Sequence, residues 1–252
     1  MIILVIILGL VIGSFLNVCI YRIQRNQSII KPGSKCPACD HKLKYWENIP
    51  ILSYLFLRGK CSDCNTRISL RYPLVELITS IVFLLLYYTF GYTIETFLFC
   101  ILFCIVIIIT FIDIDIQLIP DKLLILCLIP TTIYIILTDL NDIWIYLIGA
   151  IGLSGGFLLV GYLGKLIYKE DSMGMGDVKY AFILGLLLGW KNGLLAIGIA
   201  FISAAIIILF LFIFKKLTPR QRIPFGPFMS IGLLAALIWG NKIINWYFHF
   251  YN

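Results

Sequence analysis

The sequence predicts an all-α polytopic membrane protein of about eight transmembrane helices, with a small cytosolic zinc-binding domain built on four cysteines between helices one and two. Three observations predict it. Charged residues make up only 13% of the 252 residues and hydrophobic ones 61%, whereas ordinary globular domains carry roughly 25% charge. Apolar runs of spanning or near-spanning length then recur along the chain. One long polar segment interrupts them, and it carries two Cys-x-x-Cys pairs. A net charge of +7 would point a soluble protein towards nucleic acid. In a chain this apolar the placement of the basic residues matters more than their sum, and the expected partner is membrane lipid, with no nucleic acid.

The first span covers residues 2–21. No basic region precedes it and no small-residue cleavage site follows, so it reads as a retained helix and not a removed signal peptide. Gly9, Gly13 and Ser14 lie within it, small residues that let another helix approach closely. The polar segment 22–72 follows, with ten basic residues against Asp40, Glu47 and Asp63. That bias predicts a cytoplasmic segment and an external N-terminus. Seven further apolar segments are expected at residues 73–90, 93–112, 123–137, 143–166, 178–190, 194–214 and 228–246, the fifth of these being short. Lys191-Asn192-Gly193 reads as the turn that ends it. With eight spans, Lys122, Lys165, Lys169, Lys179, Lys215, Lys216, Arg220 and Arg222 join the first ten basic residues in the cytoplasm, and only Lys191 and Lys242 fall outside. The division expected is residues 1–21 as the first helix, 22–72 as the cytosolic domain and 73–252 as a multi-helix membrane domain.

The eight cysteines fall into two classes. Cys19, Cys100, Cys104 and Cys127 sit in apolar runs and read as small buried hydrophobes. Cys36, Cys39, Cys61 and Cys64 form two knuckles, each able to wrap one side of a tetrahedral thiolate site. A disulfide framework or a redox dithiol is the alternative; paired knuckles favour structural zinc, because four thiolates leave no open position for a substrate. His41 stands beside a knuckle whose shell is already complete.

Two acidic stretches carry the candidate chemistry. Asp113 and Asp115 close the third apolar segment ahead of Ile119-Pro120-Asp121, and Gly174-Met175-Gly176-Asp177-Val178-Lys179 opens the sixth. The charge-based topology brings both to the cytoplasmic face. Ionisable groups against membrane segments are costly and point to function. Held close in a partly dehydrated site, Asp113 and Asp177 would share a proton, one carboxylate taking a proton from water while the other polarises a carbonyl. Gly174 and Gly176 are expected to let the backbone approach a peptide closely and to adopt backbone angles closed to other residues. Two alternatives stay open from the residues alone. The acids face headgroups or cap helices, or they belong to an ion- or proton-coupled transporter, although no charged ladder continues through the membrane and Glu95 is isolated near the opposite side.

Several further stretches, in order, resemble one family. Gly13-Ser14-Phe15-Leu16-Asn17-Val18 with Arg22, the two cysteine pairs, Asn48-Ile49-Pro50, Leu57-Arg58-Gly59, Ser69-Leu70-Arg71-Tyr72-Pro73 with Glu76, the two aspartate motifs, and Pro224-Phe225-Gly226-Pro227-Phe228 are together similar to the prepilin peptidases. These are GxGD-type membrane aspartic peptidases that process type IV pilins and pseudopilins. Leu70 is a conservative departure, isoleucine being commoner there. The resemblance implies cleavage of a short basic leader after a glycine at the cytoplasmic face of the bacterial inner membrane, with Asp113 and Asp177 as the catalytic residues. Asp113 is preferred over Asp115 by its spacing to Pro120. The cysteine domain resembles that of the long form, which also methylates the new N-terminus with S-adenosylmethionine; a peptidase without that second activity is the alternative. No residue is assigned to the methyl donor.

Overall fold

Runs of Ile, Leu, Val and Phe without backbone partners in lipid must satisfy their own N–H and C=O groups, and the α-helix does so within one segment. The computed structural model describes every residue except 31, 32, 34, 35, 37, 43, 139, 141, 170–172, 215–222 and 252. Lys31, Lys35, Lys215, Lys216, Arg220 and Arg222, which enter the charge-based topology, lie outside the described residues. Among those described, helices dominate and seven are long and apolar enough to cross a membrane. Large side chains such as Ile3, Ile7, Ile206, Phe210 and Ile213 are exposed along them, a lipid-facing surface. The protein is a multi-pass membrane protein.

The chain forms two units, residues 1–108 and 109–252. In the first, α1 (Ile2–Ile23) packs against α3 (Arg71–Phe90). Gly9 and Gly13 make that contact, as their type predicts. A Cβ on Gly9 would stand 2.5 Å from Ser80 Cα, and one on Gly13 2.6 Å from Glu76 Cα. Ser80 Oγ donates to Ile6 O at 3.1 Å and Asn17 Nδ2 to Tyr72 O at 3.0 Å, so polar groups close the seam that lipid cannot drive together. Between these helices lie a 3₁₀ turn (Tyr45–Asn48), the short α2 (Leu52–Phe56) and the two cysteine knuckles. The Arg22 guanidinium, 8% exposed, binds the chain leaving α1 through Ser28 O, Ile29 O and Gly33 O. The Glu76 carboxylate accepts the N–H of Ile51 at 2.8 Å. Ile51 is a β-branched residue at φ +58°, a conformation that such residues adopt only when their surroundings impose it.

The second unit takes the last turns of α4 (Ile94–Ile116), then α5 (Asp121–Thr138), α6 (Ile143–Tyr168), α7 (Met175–Ile213) and α8 (Gly226–Tyr251). α7 packs against α5, α6 and α8. Its 39 residues would make a rod of about 58 Å at ~1.5 Å per residue, nearly twice the ~30 Å of a bilayer core. It is instead broken at Gly189, with φ +69° and ψ −179°. A Cβ on Gly193 would lie 3.6 Å from Gly185 Cα, whereas eight residues of straight helix span about 12 Å. α7 is therefore a hairpin with a short limb of 14 residues before Gly189 and a longer one of 24 after it, so that, among the described residues, seven continuous helices supply eight apolar limbs. The turn expected at Lys191-Asn192-Gly193 falls earlier, at Gly189, because glycine alone readily adopts that positive φ; Gly193 is helical and packs against Leu153.

The limb beginning α7 and α6 touch backbone to backbone. A Cβ on Gly149 would stand 2.6 Å from Gly185 O, so Gly149→Val is expected to destabilise the protein by about 1–3 kcal/mol, read as a lower melting temperature in detergent. Gly152→Val, one turn away and open to at least 4 Å, is expected to leave the melting temperature unchanged.

Candidate active site and metal centre

The cysteine knuckles are two copies of one turn. The N–H of Cys36 bonds to His41 O at 2.9 Å and that of Asp40 to Cys36 O at 3.0 Å; Cys61 N–H bonds to Thr66 O at 2.9 Å and Asn65 N–H to Cys61 O at 3.1 Å. Asp40 and Asn65, each following the second cysteine of its pair, have φ of +59° and +55°, the left-handed region that Asp and Asn enter more readily than most residues. All four Sγ atoms lie within 4.8 Å of one another, with Cys36–Cys64 at 3.8 Å and Cys39–Cys61 at 4.0 Å. Sulfurs on a tetrahedral zinc at ~2.3 Å are separated by about 3.8 Å. The set therefore fits a metal ion.

Hydrogen bonds from the Thr66 hydroxyl and backbone hold the Cys64 thiol down at about 6. The His41 backbone N–H acts on Cys39 in the same direction, but burial and its three cysteine neighbours outweigh it and push that thiol up to about 12. This is a thiol cluster sharing protons that a cation would replace. His41 is not among the converging ligands; its Nε2 meets Glu47 Oε2 at 3.3 Å. The Glu47 carboxyl is held below its usual range by hydrogen bonds from the Ser62 side chain and the Lys44 N–H, and by His41. Of the cysteines in apolar runs, Cys19 and Cys127 are buried and Cys100 and Cys104 partly so.

In the second unit Asp113 sits in the last turn of α4, only 4% exposed. A carboxylate there faces the negative end of its own helix dipole. The compensation comes from the opposite end of another helix: Gly226, the first residue of α8, donates its N–H to Asp113 Oδ2 at 2.9 Å in a buried contact. A Cβ on Gly226 would stand 2.7 Å from that oxygen, so the position has no room for a side chain. Phe225, just before it, is fixed against Phe157, Phe201 and Phe228 with ring centroids 5.1–6.2 Å apart.

Asp177 lies in the first turn of α7, where the dipole favours a carboxylate. It folds back onto the N-cap Gly174 and accepts its backbone N–H, as a residue at this position of a capping box does. The two motifs meet through Ile119 against Gly176 and Asp121 against Lys179, and the charge of Asp113 acts on Asp177. The glycines of the second motif work by their size. Gly174 has φ −72° and neither it nor Gly176 has a positive φ. A Cβ on Gly174 would lie 3.2 Å from Asp177 Oδ2, and one on Gly176 3.0 Å from Ile119 Cβ. Asp115, by contrast, is exposed. Asp121 pairs with Lys179 at 2.7 Å, both being largely exposed, a link worth no more than about 1 kcal/mol.

Residues 100–209 match the family model of the type IV leader peptidase family, and residues 7–90 match that of the bacterial peptidase A24 N-terminal domain. The chain belongs to the type IV leader peptidase family. Relatives at similar distance share nearly its whole length. It is 32% identical to a prepilin leader peptidase/N-methyltransferase of Pseudomonas putida, over 94% of this chain and 90% of that protein. Proteins of the same name from Legionella pneumophila (34%; 95% of this chain, 91% of theirs) and Bacillus subtilis (34%; 96% and 95%) are as similar. No solved structure matches the chain. As a member of this family the chain is an enzyme, which disfavours the transporter reading.

The residue that sequence reasoning left without a role is Gly226. Its segment was legible as part of a family pattern, but its contact with Asp113 joins residues 113 positions apart, beyond any local signal. Purified protein is expected to carry about one metal ion per chain, the number that one four-thiolate shell holds. Cys61→Ser is expected to lower the metal content and to expose the segment around residues 36–66 to proteolysis, checked by metal analysis and limited digestion.

Proposed function

We propose that the protein is a prepilin leader peptidase that cleaves the basic leader of type IV prepilin-like precursors after a glycine, with Asp113 and Asp177 as its catalytic pair. The observation that supports this most is the contact of two motifs far apart in sequence, Ile119 on Gly176 and Asp121 on Lys179, beside a buried Asp113 carboxylate that α8 holds by a backbone N–H. Asp113 is buried and Asp177 partly so, and two carboxyls whose charges repel in a partly dehydrated site retain one proton between them. The ionised member draws a proton from a water as that water attacks the scissile carbonyl. The protonated member donates to the carbonyl oxygen, and the proton then passes to the leaving amine. The Gly226 N–H keeps the Asp113 carboxylate aimed while this occurs.

The metal in the cysteine shell is proposed to be zinc, with a structural role, since its four ligands leave no position for substrate. The proposed division is a first helix (1–21), a zinc-held domain (22–72) and a membrane peptidase domain (73–252). The positive-inside bias supports placing the second of these and the two aspartates on the cytoplasmic side of the bacterial inner membrane.

The relatives' shared name supports a second activity, methylation of the new N-terminal amine. S-adenosylmethionine, when bound, would supply the methyl group from its sulfonium. A hollow of about 280 Å³ in the first unit, lined by Val11, Ser14, Phe15, Val18, Asn48 and Pro50, is smaller than the ~300–1,000 Å³ of small-molecule sites. Among the described residues no charged side chain lines it, so these residues do not fit this donor.

Co-expression with a prepilin substrate, read by product size and N-terminal mass, tests the reading. Asp113→Asn and Asp177→Asn are each expected to lower cleavage by about 10²–10⁴-fold, and Asp115→Asn to leave it intact. Gly226→Ala, whose added methyl meets Asp113 Oδ2, is expected to lower cleavage while methylation of a pre-cleaved product continues. Processing by both the Asp113 and the Asp177 variant would overturn the assignment.

A further inference from the structure

Three hydroxyl groups lie one helical turn from the three parts of the candidate site. Thr110 precedes Asp113 by three residues on α4, Tyr180 follows Asp177 by three on α7, and Ser230 follows Gly226 by four on α8. Residues three or four apart share one face of a helix. All three hydroxyls meet at Ser230. Thr110 Oγ1 donates to Ser230 Oγ at 2.8 Å, Tyr180 OH is 2.9 Å from the same oxygen, and Ser230 Oγ donates to Gly226 O at 2.9 Å. Because the single Ser230 proton goes to Gly226, the Tyr180 O–H must be the donor in its pair. Ser230 Oγ thus accepts two hydrogen bonds and donates one, its full capacity. Tyr180 is wholly buried and Ser230 is 8% exposed.

We propose that Thr110, Tyr180 and Ser230 are positioning residues that set the spacing of the two aspartates and of the Gly226 N–H. The inference rests on reading Asp113 and Asp177 as the catalytic pair. A fully satisfied hydroxyl hub has few alternative arrangements, whereas apolar side chains slide over one another at little cost. Its contribution to stability alone is modest, since hydrogen bonds between membrane helices add little over the partners available in the unfolded state. Its effect on chemistry is larger, because displacement of a reacting group by about 1 Å can cost on the order of a hundredfold in rate. Ser230 also links the hub to the peptide unit at the start of α8, whose N–H holds Asp113, so one oxygen registers all three helices.

The experiment compares parent, Tyr180→Phe, Thr110→Val, Ser230→Ala and the Tyr180→Phe/Ser230→Ala double variant in detergent, with Asp113→Asn as the inactive reference. Prepilin cleavage kinetics and their pH profile, methylation of a pre-cleaved peptide, and melting temperature are measured on each. Tyr180→Phe and Ser230→Ala are expected to lower kcat about tenfold with KM unchanged, a size consistent with sub-ångström misplacement. The separation of the acid and alkaline limbs of the kcat profile is expected to change, because carboxylate spacing sets their coupling. The double variant should be no worse than Ser230→Ala, since both remove the same hub. Parent kcat and pH profile in Tyr180→Phe and Ser230→Ala, with Asp113→Asn inactive, would overturn the positioning role and leave the aspartate pair standing. Losses of cleavage that track equal losses of methylation and melting temperature would also overturn it, as a general packing effect. Cleavage by Asp113→Asn would remove the catalytic pair and this inference with it.

Discussion

The structure of the second unit turns on one requirement: a carboxylate buried in an otherwise apolar helix must find donors within the protein. Lipid offers none, and a carboxylate at a helix C-terminus works against the local dipole. The answer is the buried hydrogen bond from Gly226 to Asp113, and much else follows from it. The first peptide of α8 must reach the last turn of α4, so position 226 cannot carry a side chain. Phe225 must be wedged among Phe157, Phe201 and Phe228 to hold that peptide still. α7 must then bring its own first turn to the same place, and Gly176 permits this by giving Ile119 the room that a side chain would fill.

The sequence made the fold class readable because lipid imposes one solution on each long apolar run. Paired knuckles were equally readable, since their ligand spacing is local and two-fold repeated. Even the small residues of the first helix announced their contact, and Gly9 and Gly13 lie backbone to backbone on α3. Less readable was the reversal in α7. Lys191-Asn192-Gly193 carries ordinary turn chemistry, yet Gly189 makes the bend because it must combine a positive φ with close packing on Ile145. A tripeptide pattern records propensity and not the tertiary neighbour that decides between two nearby glycines.

The aspartates divide in the same way. Asp113 and Asp115 are two residues apart on one helix, and burial separates them: one faces the interior and the N–H of α8, the other is exposed. Periodicity predicts that they occupy different faces without saying which face is inward. The glycines of the second motif were expected to let the backbone approach a peptide closely and to adopt unusual angles; neither has a positive φ, and their small size makes room for the chain's own Asp177 carboxylate and Ile119. The hydroxyl hub on Ser230 had no sequence signature, because its members stand on three helices and each is an ordinary residue alone.

The metal-fitting knuckles have a consequence for the helix pair beside them. α1 and α3 make close backbone contact, yet the chain between them runs from Gln24 to Leu70. Holding the ends of so long a loop together costs conformational entropy that grows with its length. An ion bound by both knuckles ties Cys36–Cys39 to Cys61–Cys64 and reduces the free connection to two short arms. Metal supply to the cell would then set how readily two membrane helices find each other, although neither helix touches the ion.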